Sequence, residues 1–262
     1  MPDTHLHTQP APPSAVMSRR ARTEVTVVIA SLLAYFGVRA LTEGNHDDAV
    51  RNAERVMRAQ EHLYLHWDME LNRTVVEHSA AITLFNWIYT WGHWPVIILC
   101  GVFLFLRFPR TYYRTRNAFL VSGGIGLVIF ATFPVAPPRL MDIDVVDSVT
   151  RWSNSYRFLQ PVSLTNQYAA MPSLHFGWNL LIGIAMVQVL RTWPLRAVAV
   201  AFPFAMAAAV VITANHFIID AIIGGLLATL GLAVAIWLER SPRGRAVYRR
   251  LVPVRSPPAP GL

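Results

Sequence analysis

Six apolar stretches dominate the chain: Glu24 to Leu41, Ile82 to Leu106, Asn117 to Phe133, Leu174 to Leu190, Arg196 to Thr213 and Phe217 to Leu238. About 20 helical residues cross the hydrocarbon core of a bilayer, and a helix lets a single segment satisfy its own backbone groups there. The pattern therefore predicts an all-α, polytopic membrane protein with six transmembrane helices. Composition agrees, since 54% hydrophobic and 15% charged residues make the chain too apolar for a soluble domain. The first run is too long for a signal-peptide core and no small-residue cleavage site follows it, so it counts as a span.

Arginine placement gives the expected orientation. All 23 basic residues are arginine, and the formal charge is +8. Most arginines fall in short segments between apolar runs, which argues against a nucleic-acid partner. If the N-terminus is cytoplasmic, then Arg19, Arg20 and Arg22, Arg107 to Arg116, Arg191 and Arg196, and the series from Arg240 to Arg255 all lie inside. Both termini are then cytoplasmic. Residues 1–18, with His5 and His7, read as a disordered tail, residues 24–240 as the membrane domain, and residues 241–262 as a basic, Pro-rich tail. The lone Cys100 lies in an apolar run and excludes an internal disulfide.

Two segments outside the spans carry pattern. From Asp47 to Trp67, Val50, Ala53, Val56, Met57 and Leu63 alternate with charges at helical spacing, which predicts an amphipathic helix along the outer membrane surface. Residues 134–173 form a long external loop rich in proline and aromatics, a length at which loops tend to be lids or binding elements. Three polar clusters fall on that same side: "FPVAPPRL" (133–140), "PSLHFGW" (172–178) and "NHFIID" (215–220).

Those clusters carry chemistry. His216 and Asp220 are four residues apart, so on one helix the carboxylate would accept from one imidazole nitrogen and leave the other electron-rich. His175 supplies a second imidazole at the same depth. Two histidines and an acid suffice for phosphoryl transfer, one attacking phosphorus, the other protonating the leaving alkoxide, the acid holding the nucleophile. Arg139, with Ser173, Asn215 and helix N-terminal amides, is placed to hold the phosphate charge. A lone interfacial histidine is more often structural than reactive, but three such groups at matched depth favour a site. Asn86, Tyr89 and His93 make a polar stripe in the second span, with Pro95 expected to kink it. Two readings of the stripe stay open: it borders a headgroup pocket, or it cements helix packing. Trp87, Trp91 and Trp94 read as lipid-facing or interfacial anchors.

"PSLH" followed by "NHFIID" resembles the second and third signatures of the type-2 phosphatidic acid phosphatase superfamily, P-S-G-H and S-R-x5-H-x3-D, after a first of K-x6-R-P. Leu174 in place of glycine, followed by His175 and Gly177, is similar to the inositol phosphorylceramide synthase branch, as are "FNWIYTWGHWP" (85–95) and "APPR" (136–139). The likeness covers roughly residues 50–235. It implies His216 as the nucleophile of a phosphohistidine intermediate, Asp220 as its orienting partner and His175 as general acid, with no metal and no other cofactor. It also implies a bacterial plasma membrane, a membrane phospholipid donor, and a lipid alcohol or water as acceptor, with inositol phosphate as one headgroup. The signature cations depart: the lysine falls at Thr132, and the serine and arginine at Ala209 and Val210. That favours the transferase-like branch, or recruitment of Arg151 or Arg157 from the loop. Rival readings are a plain lipid-phosphate phosphatase, a metal-dependent phosphotransferase, for which Asp142, Asp144 and Asp147 are poorly arranged, a transporter, and a non-catalytic lipid-binding scaffold.

Overall fold

Proline placement sets many of the helix starts. In the computed structural model, which describes residues 13–42, 46–153 and 166–251, Pro13, Pro95, Pro109, Pro194 and Pro242 stand in the first turn of a helix, where a missing N–H removes no hydrogen bond. The helices are α1 (Pro13–Thr42), α2 (His46–His62), α3 (Asp68–Val76), α4 (Ser79–Trp91), α5 (Trp94–Arg107), α6 (Pro109–Thr132), α7 (Ser148–Trp152), α8 (Leu174–Val189), α9 (Trp193–Ile212), α10 (Ile218–Arg240) and α11 (Pro242–Leu251). A 3-10 turn covers Pro138–Leu140. Among the described residues the only extended pairing is an isolated parallel bridge between Val135 and Ala169.

Among the described residues, four helices are long and apolar enough to cross a membrane: Ala21–Val38 within α1, α6, α9 and α10. A fifth crossing results if α4 and α5 count as one, bent by 47° at their break. The predicted kink is therefore a break. Pro95 opens α5, while Gly92, just before it, lies against α9, where a Cβ would stand 2.9 Å from Phe202 and 3.0 Å from Met206. The remaining expected span, α8, is apolar but only 16 residues long. Large apolar side chains face outward, among them Leu33, Leu99, Val198, Leu226 and Trp237. An apolar exterior of this kind suits lipid, and the chain is an integral membrane protein.

Helices α6, α8 and α10 pack around one another, α9 and α4 cover one side, and α1 lies on α6. Glycines allow the tightest crossing. A Cβ on Gly177 of α8 would lie 2.5 Å from the carbonyl oxygen of Gly224, and one on Gly224 of α10 would lie 2.1 Å from that of Ser173. The first turn of α8 is thus pressed against the second turn of α10.

The two ends of the bundle differ. At one end, buried carboxylates take arginines: Glu24 pairs with Arg116 (2.7 Å), and Glu239 with Arg110 (2.6 Å) and Arg114 (2.8 Å). These α6 arginines lie inside the helix, whereas sequence places its start at Asn117. Partners on α1 and α10 allow the helix to extend through them. At the other end lie α2, α3, α7 and the 133–141, 166–173 and 213–217 segments.

Helix α2 is amphipathic, as expected, but its apolar face packs on protein. Ala49, Ala53 and Val56 cluster with Val135, Ala136, Ala170 and Phe217, and Asn52 Nδ2 donates to the Pro134 carbonyl at 2.9 Å. Leu63, expected on that face, is 58% exposed because the helix ends at His62. The loop after α6 is largely ordered structure where it is described. Asn72 of α3 bonds Val146 through both carbonyl (3.0 Å) and N–H (2.8 Å), and also the Ile212 carbonyl (2.7 Å). Helix α1 begins at Pro13, inside the expected tail, and α11 occupies part of the expected C-terminal tail. Alanine and arginine after each proline favour helix at both places. His5, His7 and Arg157 lie outside the described residues.

Candidate active site

The turn between α9 and α10 presents His216. Helix α9 closes with Ala214 N–H on the Val211 carbonyl (2.9 Å) and Asn215 N–H on that of Val210 (3.1 Å), a paired C-terminal cap that requires a left-handed residue. Ala214 takes it, at φ 56°. His216 N–H then also reaches the Val210 carbonyl at 3.0 Å, which fixes the backbone beneath the imidazole.

His216 lies before α10, so it does not share a helical face with Asp220. Its Nδ1 bonds the Ala170 carbonyl at 2.7 Å, while Asp220 Oδ2 stands 3.6 Å away, beyond hydrogen-bond length. Asp220 sits in the first turn of α10, where Oδ2 accepts the Phe217 N–H at 2.9 Å as a cap. The expected carboxylate–imidazole hydrogen bond is therefore replaced by a carbonyl–imidazole one, with the carboxylate close enough to act as a charge. A carbonyl oxygen only accepts, so Nδ1 carries the proton and Nε2 the lone pair. Sequence reasoning missed the role of Ala170, because nothing in an apolar residue's identity marks its carbonyl.

His175 enters from the first turn of α8. Its ring centroid is 5.7 Å from that of His216, 4.1 Å from His93 and 4.9 Å from Tyr89. A backbone bond from Ser173 N–H to the Asp220 carbonyl (2.9 Å) ties the α8 and α10 starts together at this level. Among the described residues, four buried polar atoms here have no partner: Ser173 Oγ, His175 Nε2, Asn179 Oδ1 and Asp220 Oδ1. Buried polar atoms are normally hydrogen-bonded, so these four are free to bond water or a polar ligand.

Arg139 is brought beside this turn. Its N–H bonds the Ala214 carbonyl (2.9 Å), its Nε donates to Asn215 Oδ1 (2.9 Å), and its guanidinium lies 3.8 Å from Asp147. Asn215 is held in turn by Thr213, through its carbonyl at 3.1 Å and its Oγ1 at 2.9 Å. Arg139, Asp147, Thr150 and Arg151 line a cleft of about 520 Å³ with Val145 and Val146. Thr132, where the resemblance has a lysine, turns its Oγ1 back on the Val128 carbonyl (2.9 Å). Ala209 and Val210 are fully buried in the core.

The 86–93 stripe divides. Asn86 exchanges hydrogen bonds with Ser148, accepting from Oγ at 2.8 Å and donating to its carbonyl at 3.2 Å, so it docks α7 and does not join the histidines. Tyr89 and His93 do join them. Trp87, Trp91 and Trp94 are all exposed, and Trp94 also meets His93 (5.1 Å) and Trp178 (5.8 Å) edge-on. Asn179 also escaped the sequence reading, though it is the polar residue one turn after His175. Among the described residues, no three His, Cys, Asp or Glu side chains converge as a metal-ligand set.

Residues 54–234, more than half of the chain, match the PAP2 superfamily. The chain belongs to the PAP2 superfamily. No curated protein and no solved structure matches it. PAP2 membership makes it an enzyme of the lipid phosphatase and phosphotransferase kind, and the matched span contains the histidine turn, both glycines of the α8–α10 crossing and Arg139.

Proposed function

We propose that this protein is a histidine-dependent, metal-independent lipid phosphotransferase of the inositol phosphorylceramide synthase-like branch, using a phosphohistidine intermediate. The observation that carries the reading is the pair of imidazoles 5.7 Å apart, one with its proton held on Nδ1 by the Ala170 carbonyl. His216 Nε2 attacks phosphorus of a membrane phospholipid, and the P–O bond to the departing lipid alcohol breaks. His175 gives that oxygen its proton. A lipid hydroxyl or water then attacks the phosphohistidine, His175 takes its proton, and the P–N bond breaks to restore His216. Asp220 at 3.6 Å stabilises the charged ring. Arg139, Asn215 and Ser173 hold the phosphate.

Transfer to a second lipid is favoured over hydrolysis by the cover above the site. Helix α2 packs on the 133–136 and 168–171 segments, and His216 is 5% exposed. A covered phosphoenzyme excludes water until the acceptor arrives. We read the α4–α5 pair and α8 as one crossing each, giving six, with both termini cytoplasmic and the histidines at the extracytoplasmic end, opposite the arginine-rich one.

The test is incubation of purified protein with ³²P-labelled phospholipids, with and without ceramide or diacylglycerol. Acid-labile label on the protein, and label in a new lipid, are expected; His216→Ala abolishes both. Full turnover by His216→Ala on every headgroup would overturn the nucleophile, and loss of activity to EDTA would replace this reading with a metal-dependent one.

A further inference from the structure

His93 takes no part in the steps above, yet it is as closely built into the site as any residue. It stands at the break between α4 and α5 and is buried. Its ring lies 4.1 Å from that of His175 at an interplanar angle of 34°. Tyr89, one turn earlier on α4, stacks on the same imidazole at 4.9 Å and 20°. Asn179 links the two histidines from the other helix: its Nδ2 contacts Nδ1 of His93 at 3.2 Å and donates to the His175 carbonyl at 2.8 Å. An amide nitrogen only donates, so His93 Nδ1 accepts and His93 is held in one orientation.

His175 itself has no such hold. Its Nε2 is buried without a partner, and among the described residues no hydrogen bond fixes its ring. A general acid must meet the departing oxygen within hydrogen-bond reach, and an imidazole free to turn about two side-chain torsions spends little time there. Stacking from Tyr89 and the close tilted ring of His93 supply the missing constraint. We infer that His93, locked by Asn179, is a positioning residue that aims the His175 imidazole at the leaving oxygen of the phosphoester.

This rests on the function proposed above and is tested separately from it. Two phosphodiester substrates are compared: a labelled phospholipid, whose alkoxide needs a proton to leave, and bis(p-nitrophenyl) phosphate, whose phenolate does not. His93→Ala is expected to lower kcat on the phospholipid by about 10- to 100-fold, with KM changed less than about threefold. The p-nitrophenolate burst is expected to keep its rate within about threefold. His93→Phe, which keeps a ring against His175 and serves if the alanine variant does not fold, is expected to retain more phospholipid turnover than loss of the ring allows. Equal losses on both substrates, an unchanged phospholipid kcat, or a phenylalanine variant no faster than the alanine one overturns the inference. Turnover by His216→Ala would instead overturn the parent reading, and this one with it.

Discussion

Gly224→Ala tests whether the α8–α10 crossing is what assembles the site. A Cβ at position 224 would stand 2.1 Å from the Ser173 carbonyl oxygen, 2.8 Å from its carbon and 3.1 Å from its nitrogen, where ordinary contact begins at 3.4 Å. All three are backbone atoms, so no side chain can swing away. The helices must open by about 1.3 Å at this level. The Ser173 N–H to Asp220 carbonyl bond, 2.9 Å long, then stretches to about 4 Å and is lost. Overpacking costs about 1–3 kcal/mol and the broken buried bond about 1–3 kcal/mol, against about 1 kcal/mol gained in helix propensity. His175 and Asp220 ride on the two displaced turns. A misplacement near 1 Å at a reacting group costs about 100-fold in rate. Turnover of labelled phospholipid and thermal unfolding in detergent are measured together, with Gly124→Ala as control, since a Cβ there meets nothing within 4 Å. The control should match or exceed the parent in stability and keep its activity. A Gly224→Ala protein with more than half the parent turnover and an unshifted unfolding midpoint would refute the close-approach argument.

Two further substitutions probe what surrounds the site. Ala214→Gly removes the left-handed strain at φ 56°, worth about 1 kcal/mol after the entropy cost of glycine, so the unfolding midpoint rises with turnover unchanged; a lower midpoint would mean that packing of the fully buried Ala214 methyl outweighs the strain. Asn72→Leu removes three hydrogen bonds to Val146 and Ile212 and is expected to cost about 2–4 kcal/mol, with faster protease cleavage between residues 142 and 152 as the readout; unchanged cleavage would show that the Asn86–Ser148 and Arg73–Asp144 contacts hold that segment alone.

What the sequence made legible was what depends on residue type. Apolar runs near membrane length locate α9 and α10 within a few residues, and α1 and α6 at their C-terminal ends, because bilayer thickness acts directly on composition. The convergence of "PSLH" with "NHFIID" follows from counting crossings, and the structure does bring His175 and His216 together. What stayed hidden depends on backbone atoms and on partners distant in sequence. Spacing alone suggests that Asp220 bonds His216, yet helix capping claims the carboxylate first and the Ala170 carbonyl takes the imidazole. Arg110 and Arg114 look like loop residues until Glu239, more than a hundred positions away, draws them into α6. The amphipathic α2 has a pattern that fits a lipid surface as well as a protein one, and only the cluster with Val135 and Phe217 tells them apart.

The departures from the family signatures bear on which phosphate the site suits. A phosphomonoester carries roughly −1.5 to −2 charge near neutral pH, because its second pKa lies near 6. A phosphodiester carries only −1 and needs fewer cations. At the positions where the signatures call for a lysine and an arginine, this chain has Thr132, bonded back to its own helix, and Val210, buried in the core. The cations that line the cleft near the histidine turn are Arg139 and Arg151, and Asp147 offsets one of them, leaving a net charge of about +1 among the described residues there. That balance matches a diester and undercharges a monoester. Under the function proposed above, this charge balance is a reason to take a headgroup-bearing phospholipid, rather than a phosphomonoester, as donor.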